Sequence, residues 1–485
     1  MGTRHTKRRG RSEVVRSSGA EAPRRLKPAL QTFPTRTALT LASFALILGG
    51  LSRVVHGVEL PLQAAAKIGE FTPELTPPRP WIPHTAPEAI LPGPALAADR
   101  GQIRPVLDDR NGGLDRFYAA LWRTERGAPM AITRIVHYGD SPTTADLITG
   151  DTRQLLQKQF GDSGHGFTLI GKPWAWYGHR GVDLASGGWQ MDPGTRWDLR
   201  DGLFGLGGVA FSGQTGAHSR VTLRDANQTL LEVWFLGQPG GGSIAVSSAG
   251  QPIGRISTDA PARAAGFARL DLKPGTGTLD FNSEGAVRMF GITLEKPLTG
   301  VVYDSIGLNG ASISTPAVLF NESHWAGQLR HRHPDLVVLN YGTNESGYPD
   351  FLTQEYEKEL REAIRRVRAA LPNASILVMS PMDRGQKNGD EIETLPTIPR
   401  IVDIQRRVST ELDCGFFNTF EVMGGAGTME RWYESQPRLV SADFIHPTPA
   451  GARIIAAAFV RALEAGLNRY KLRQVLLHSD VAEAR

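Results

Sequence analysis

The chain has 485 residues, 40% of them hydrophobic and 21% charged, a composition that points to a globular protein of more than one domain and excludes a disordered or fibrous one. Its formal charge of +5 is unevenly spread: Met1 to Arg36 holds ten Lys/Arg against Glu13 and Glu21, which leaves a net −3 for everything after it. The folded part is therefore not a nucleic-acid binder or general polyanion binder on charge grounds, and the single Cys414 excludes an internal disulfide and a cysteine-based metal site.

The basic segment 1–36 runs into ALTLASFALILGGL, Ala38 to Leu51. Basic residues before an apolar run read as an export signal or anchor helix over 37–51. The run falls short of the roughly 20 residues of a usual spanning helix, and no small-x-small cleavage site follows it directly. An uncleaved anchor with its basic end in the cytoplasm is favoured over a cleaved signal. Everything downstream is then expected in the cell envelope, anchored to the membrane and facing the periplasm or exterior, or secreted if cleavage occurs. Residues 52–109 read as a linker, proline-rich from Phe71 to Pro105, because proline removes amide donors and fixes φ in an extended range.

A helical pattern, LDRFYAALWR, is followed by an apolar strand, ITRIVHY, and the turn HYGDSPTTAD. A helix is predicted beyond it, ending at KQF, where the tripeptide Gly-Asp-Ser recurs in QFGDSGHG. From 189 to 297, glycines punctuate short alternating runs such as SRVTLR and VRMFGITLE, the pattern of antiparallel strands and turns. Strand and helix patterns then alternate again: strands at DLVVLNYG and SILVMSP, helices over 316–330, 354–371, 399–412 and 449–464. The rhythm predicts a parallel sheet covered on both faces, an α/β domain split into 110–188 and 298–468 by a β-sandwich at 189–297, with a tail at 469–485.

A serine hydroxyl needs a histidine base within reach, and usually a carboxylate to orient that base, before it becomes a nucleophile. SADFIHPTPAG places Asp443 and His446 three apart, just before the last strong helix. Acyl transfer also needs donors aimed at an oxyanion. YGTNES sets Asn344 at a strand's carboxyl end, and GLNGAS sets Gly310 in a loop. Asp140 is read as capping or bracing its turn, without a chemical role.

Taken in order, Gly139 to Ser141, Gly310, Gly342 to Asn344 and Asp443 to His446 resemble the four blocks of the SGNH, or GDSL-type, hydrolases. The resemblance covers about 110–467, and the insert together with HYGDSPTTADLITGDTRQLLQKQFGDSGHGF and YDSIGLNGAS is most similar to peptidoglycan O-acetylesterase-like members, whose extra β domain resembles a carbohydrate-binding module. It implies a flavodoxin-like α/β/α fold, Ser141 as nucleophile, and Asp443 and His446 completing a triad. It further implies an oxyanion hole from the Ser141 and Gly310 N–H groups and the Asn344 amide, and no metal or other cofactor. Two departures stand out: Glu345 replaces an aspartate that usually supports its loop, and Pro142 removes one amide donor just after the serine.

The expected activity is a serine esterase removing acyl groups, O-acetyl in the first instance, from a cell-envelope or extracellular polysaccharide. Competing expectations are transfer of the acyl group to a sugar hydroxyl by the same triad, and a glycan-binding envelope protein without activity. KPWAWYGHRG offers Trp174, Trp176 and Tyr177 as a candidate sugar platform, since aromatic faces stack on sugar rings, although burial is the commoner fate of such residues. His137, His165, His179, His331 and His333 show no metal-ligand spacing and read as surface or structural.

Overall fold

The computed structural model describes residues 106–195 and 201–483. The basic segment 1–36, the apolar run 37–51 and nearly all of the linker 52–109 lie outside the described residues. Among the described residues, no helix is long and apolar enough to cross a membrane.

The central sheet has six strands. Five of them, Ile132–Gly139, Gly300–Gly307, Leu336–Asn340, Ser375–Met379 and Gly415–Phe417, run parallel in the spatial order second, first, third, fourth, fifth. This is the flavodoxin-like doubly wound order. Leu107 and Asp108 pair antiparallel with Phe417 and Phe416 and cover the far edge, so the end of the expected linker belongs to the sheet. The prolines stop at Pro105, and an unpaired strand edge is available to the residues just beyond.

All residues of Leu336–Asn340 and Ser375–Met379 are buried, as both faces of a parallel sheet are covered. Ile135, Tyr303, Val338 and Leu377 face Phe117, Leu156, Phe459 and Leu463 from the helices Asp115–Glu125, Ile148–Phe160 and Pro449–Glu483. Val136, Val337 and Val378 join the other core, with Leu360, Ile364, Ile401 and Val408 from Tyr356–Ala370 and Thr397–Glu411. In Tyr356–Ala370 the buried Tyr356, Leu360, Ala363, Ile364 and Val367 form one stripe, while Glu357, Arg361, Glu362 and Arg365 pair along the solvent side. The last helix continues to Glu483, so the expected tail is helical at least that far. No proline interrupts it, and Gly466 sits inside it because a side chain there would collide with the Tyr118 ring.

The insert enters between Ile148–Phe160 and Gly300–Gly307. One antiparallel sheet has the order Gln251–Ser257, Ser243–Ser248, Thr278–Glu284, His218–Leu223, Val182–Gly187. The other has the order Ala264–Asp271, Leu230–Gly237, Val287–Glu295, Val209–Gly213, Gln190–Pro193, with Gly164–Thr168 also paired to Val287–Glu295. Antiparallel pairing therefore starts at 164, ahead of the expected boundary at 189; the runs GHGFT and VDLASG carry too little apolar alternation to announce strands. Val221, Ile244 and Phe281 of the first sheet share a core with Phe211, Val233 and Met289 of the second.

The second sheet is covered on its other face as well. There the His331 ring, on the helix Glu322–Arg332, stacks on Phe267 with centroids 3.5 Å apart, and a buried ion cluster crosses the seam. Arg332 donates to Asp304 at 2.6 and 2.9 Å and also to Glu295, which Arg134 engages at 2.8 and 3.2 Å. Asp304 accepts the Phe167 N–H at 2.7 Å as well. Burial acts to raise the Glu295 carboxyl, but Arg332 and Arg134 outweigh it and hold the group at about 2.

Candidate active site

Gly139, Gly307, Asn340 and Met379 lie in one register row across four parallel strands. The segments carrying Ser141, Gly310 and Asn344 therefore leave the sheet side by side at its carboxyl edge. Between Ile132–Gly139 and Leu336–Asn340 the chain's winding reverses direction, the switch point at which open α/β sheets form a crevice. Ser141 opens the short helix Ser141–Thr144 with Asp140 extended before it and Pro142 in its first turn, where a missing N–H costs little. Glycine is required at 139 and 307, because a side chain would strike the Thr143 hydroxyl at the first and the Thr144 backbone at the second.

The structure brings Ser141, His446 and Asp443 together across 305 residues of sequence: His446 Nε2 lies 2.8 Å from Ser141 Oγ, and His446 Nδ1 lies 2.7 Å from Asp443 Oδ2. Asp443 Oδ1 accepts the N–H groups of Ile445 and His446 at 2.9 and 3.0 Å. The D-x-x-H spacing meets at one point because Phe444 turns the chain at φ +57° and the Ser441 N–H closes on the His446 carbonyl at 2.8 Å. Burial opposes ionisation of Asp443, but the hydrogen bonds from His446 and Ile445 prevail and hold its carboxyl below the ordinary aspartate value. It stays a carboxylate facing the imidazole at neutral pH.

Gly310 adopts φ +75° with open space where a side chain would stand, so its backbone is approachable. Asn344 donates one amide hydrogen to the Ala311 carbonyl at 2.7 Å, which fixes the amide and leaves its other hydrogen available. Glu345 ties these two loops together. Its Oε1 accepts the Ile313 N–H at 2.7 Å and its Oε2 accepts the Gly342 N–H at 3.0 Å, which gives the glutamate in place of the family's aspartate a bracing geometry. Burial pushes the Glu345 carboxyl up to about 7, against those backbone bonds.

Arg384 carries no sequence signal that would have marked it. Its Nη1 donates to the Thr343 carbonyl at 2.8 Å and Ser346 Oγ at 3.0 Å, bracing the turn that holds Asn344. It precedes a hairpin, Gly385–Asn388 with Glu391–Thr394, whose Asn-Gly dipeptide at 388–389 is the one hairpin signal in an otherwise polar run.

Some other readings change with the structure and others are kept. Asp140 makes no side-chain cap bond, and its buried Oδ2 has no partner among the described residues. Burial raises its carboxyl to about 6 despite Thr343 and His446. Tyr177 is not a sugar platform, since it is buried and its hydroxyl accepts the Leu169 N–H at 3.1 Å. Trp174 is half-buried against the same core, and Trp176, 54% exposed, is the one aromatic of the three open to solvent. Its loop is tied to the Ser141 helix by the Gly178 N–H on the Thr144 carbonyl at 3.3 Å. His137 is buried with Nδ1 2.6 Å from the Tyr303 hydroxyl, and His165 pairs with Asp225 at 2.6 Å.

An unassisted serine hydroxyl holds its proton too tightly to attack an ester. A neutral imidazole at hydrogen-bond distance can take that proton, and a carboxylate on its far nitrogen fixes the tautomer and stabilises the imidazolium that forms. N–H donors beside the serine can then stabilise a tetrahedral oxyanion. Residues 275–454 match the model of the GDSL-like lipase/acylhydrolase family. The match covers less than half of the chain. It includes Gly310, Asn344, Asp443 and His446, while Ser141 lies ahead of it on the far side of the insert.

A solved structure of a peptidoglycan O-acetylesterase superimposes with a TM-score of 0.65 at 24% identity, covering 75% of this chain and 100% of that one. The two share one α/β fold. An acetylxylan esterase from Geobacillus stearothermophilus (20% identity, 34% of this chain and 73% of that one) and a family two carbohydrate esterase from Clostridium thermocellum in complex with cellohexaose (14% identity, 59% and 99%) each reach a TM-score of only 0.26. No curated protein matches the sequence.

Proposed function

We propose that the protein is a serine esterase that removes acyl groups, O-acetyl in the first instance, from a cell-envelope or extracellular polysaccharide. The observation that carries this reading is the unbroken relay from Ser141 Oγ through His446 to Asp443, at 2.8 and 2.7 Å. Ser141 attacks the ester carbonyl while His446 takes its proton. The alcohol leaves with that proton, and water then releases the acyl group from Ser141 by the reverse use of His446. The N–H groups of Ser141 and Gly310 and the Asn344 amide hold the oxyanion, with Glu345 and Arg384 keeping their loops in place.

The polysaccharide substrate is supported by the family of the hydrolase segment, the insert fixed against it, and exposed Trp176 on a loop tied to the Ser141 helix. Location outside the cytoplasm, held by the apolar run 37–51 or released from it, is supported by the basic-then-apolar order of the amino-terminal sequence. The test is acetate release from O-acetylated polysaccharide by wild type and Ser141→Ala. Release by wild type alone supports hydrolysis; equal release by both overturns the nucleophile, and acyl transfer to sugar without net acetate overturns hydrolysis.

A further inference from the structure

Beside His446, four side chains form a row. Lys387 Nζ sits 5.9 Å above the Phe444 ring, Phe444 meets Tyr433 edge-on at 5.0 Å, and the Arg438 guanidinium lies 4.2 Å from the Tyr433 ring. Both aromatics are half-buried, and both cations are exposed. The row is fixed to the site: Phe444 lies between Asp443 and His446 in sequence, and its carbonyl accepts the Gly385 N–H at 2.9 Å.

The cations here differ from Arg361, Arg365 and Arg366 on the helix Tyr356–Ala370. Around Tyr356–Ala370 the arginines are matched with glutamates, as in Arg361–Glu357 and Arg365–Glu322. Lys387 and Arg438 form no ion pair among the described residues; each lies on an aromatic face instead. The hairpin's own carboxylates do not neutralise Lys387. Residues directly opposite in an antiparallel pair share a face, so Lys387, opposite Ile392, is on the face that packs toward the body of the domain. Glu391 and Glu393 are on the reverse face, and the Asn388 amide holds Glu393 at 3.0 Å.

The half-buried Phe444 and Tyr433 rings offer apolar contact to a pyranose, and the ammonium and guanidinium held over them, without a carboxylate partner, attract a sugar carboxylate. We propose that the rim formed by Lys387, Phe444, Tyr433 and Arg438 binds a carboxylate-bearing sugar, so that the site selects acylated acidic glycans. This rests on the esterase reading and narrows its substrate class. The net −3 of the chain beyond Arg36 argues against a general polyanion-binding face, but not against two cations held at one rim.

The experiment compares acetylated polygalacturonate with acetylated glucomannan of matched acetyl content, using the full chain and the Lys387→Gln, Arg438→Gln and double variants. For wild type, kcat/KM on the acidic polymer is expected to exceed that on the neutral one about tenfold at low salt. That margin should shrink as salt screens exposed charges. The double variant should raise KM on the acidic polymer about tenfold, with a much smaller change on the neutral polymer and on 4-nitrophenyl acetate. Equal losses on both polymers, no loss on either, or a wild-type preference for the neutral polymer overturns the proposal. If wild type turns over none of the three, it is the esterase reading that fails. Calorimetric binding of deacetylated oligogalacturonate to Ser141→Ala, with and without the double substitution, then decides the rim by itself: unchanged or absent binding overturns it, and weakened binding sustains it.

Discussion

Gly139-Asp140-Ser141 and Gly161-Asp162-Ser163 share three letters and almost nothing else. The first ends a buried parallel strand at the sheet's carboxyl edge and presents its hydroxyl to His446. The second ends a helix, with Gly161 at φ +97°; Asp162 pairs with Lys296, and buried Ser163 donates to the Leu298 carbonyl at 2.6 Å. One serine has its hydrogen bond to a base and the other to backbone. What separates them is the strand in front and the loops alongside, so a short motif acquires chemistry only from the register in which the sheet sets it down.

The largest effect that would break this contrast is on turnover. Ser141→Ala should lower kcat on an acetyl ester by about a thousandfold or more, with little change in melting temperature, whereas Ser163→Ala should leave kcat near wild type. Comparable losses in the two variants would erase the distinction. Next comes the seam beside the second tripeptide. Arg332→Met leaves Asp304 buried without its cation and Glu295 with Arg134 alone, and should cost about 3–5 kcal/mol in denaturant unfolding, with kcat of the remaining folded protein largely kept.

Asn344→Ala sharpens the first corner, since loss of the proposed oxyanion donor should cut kcat about 100- to 1,000-fold with KM much less affected. A smaller effect belongs to Ser163 itself: alanine there strands the Leu298 carbonyl and should cost about 1–2 kcal/mol of stability. The last is a slope. Asp140 titrates near 6 when folded, above the ordinary aspartate range, so between about pH 4 and 6 the folded chain holds a proton that the unfolded chain has released. Its contribution therefore makes stability fall as pH rises through that window. Asp140→Asn should flatten that part of the stability–pH curve, and an unchanged curve would show that Asp140 does not titrate there.

Much of this was legible in the sequence. The strand ITRIVHY, the helical stripe of 356–370 and the Asp443-x-x-His446 spacing announce themselves through period and chemistry. The three-residue strand Gly415–Phe417 and the pair Leu107–Asp108 do not, because so few residues carry no periodicity and their pairing is set by neighbours far along the chain. Tyr177 shows the limit for side chains: a cluster of aromatics gives composition, and only packing decides that Tyr177 turns inward while Trp176 remains outside. Arg384 and the Lys387–Phe444–Tyr433–Arg438 row were invisible for the same reason, being drawn from separate segments.

The two ends of the insert meet at the second tripeptide, where Val301 donates to the Gly161 carbonyl at 2.8 Å and Lys296 to the Ser163 carbonyl at 2.9 Å. That contact bears on how the chain folds. Pairing Ile132–Gly139 with Gly300–Gly307 would otherwise close a loop of well over a hundred residues, a step that slows folding because its entropy is lost before any contact rewards it. A sandwich that forms first presents both ends at one place and shortens the search to the stretch 140–160 on one side and a few residues on the other. The tripeptide without chemistry would then act in folding, as the clasp at which the inserted domain delivers the second strand to the first.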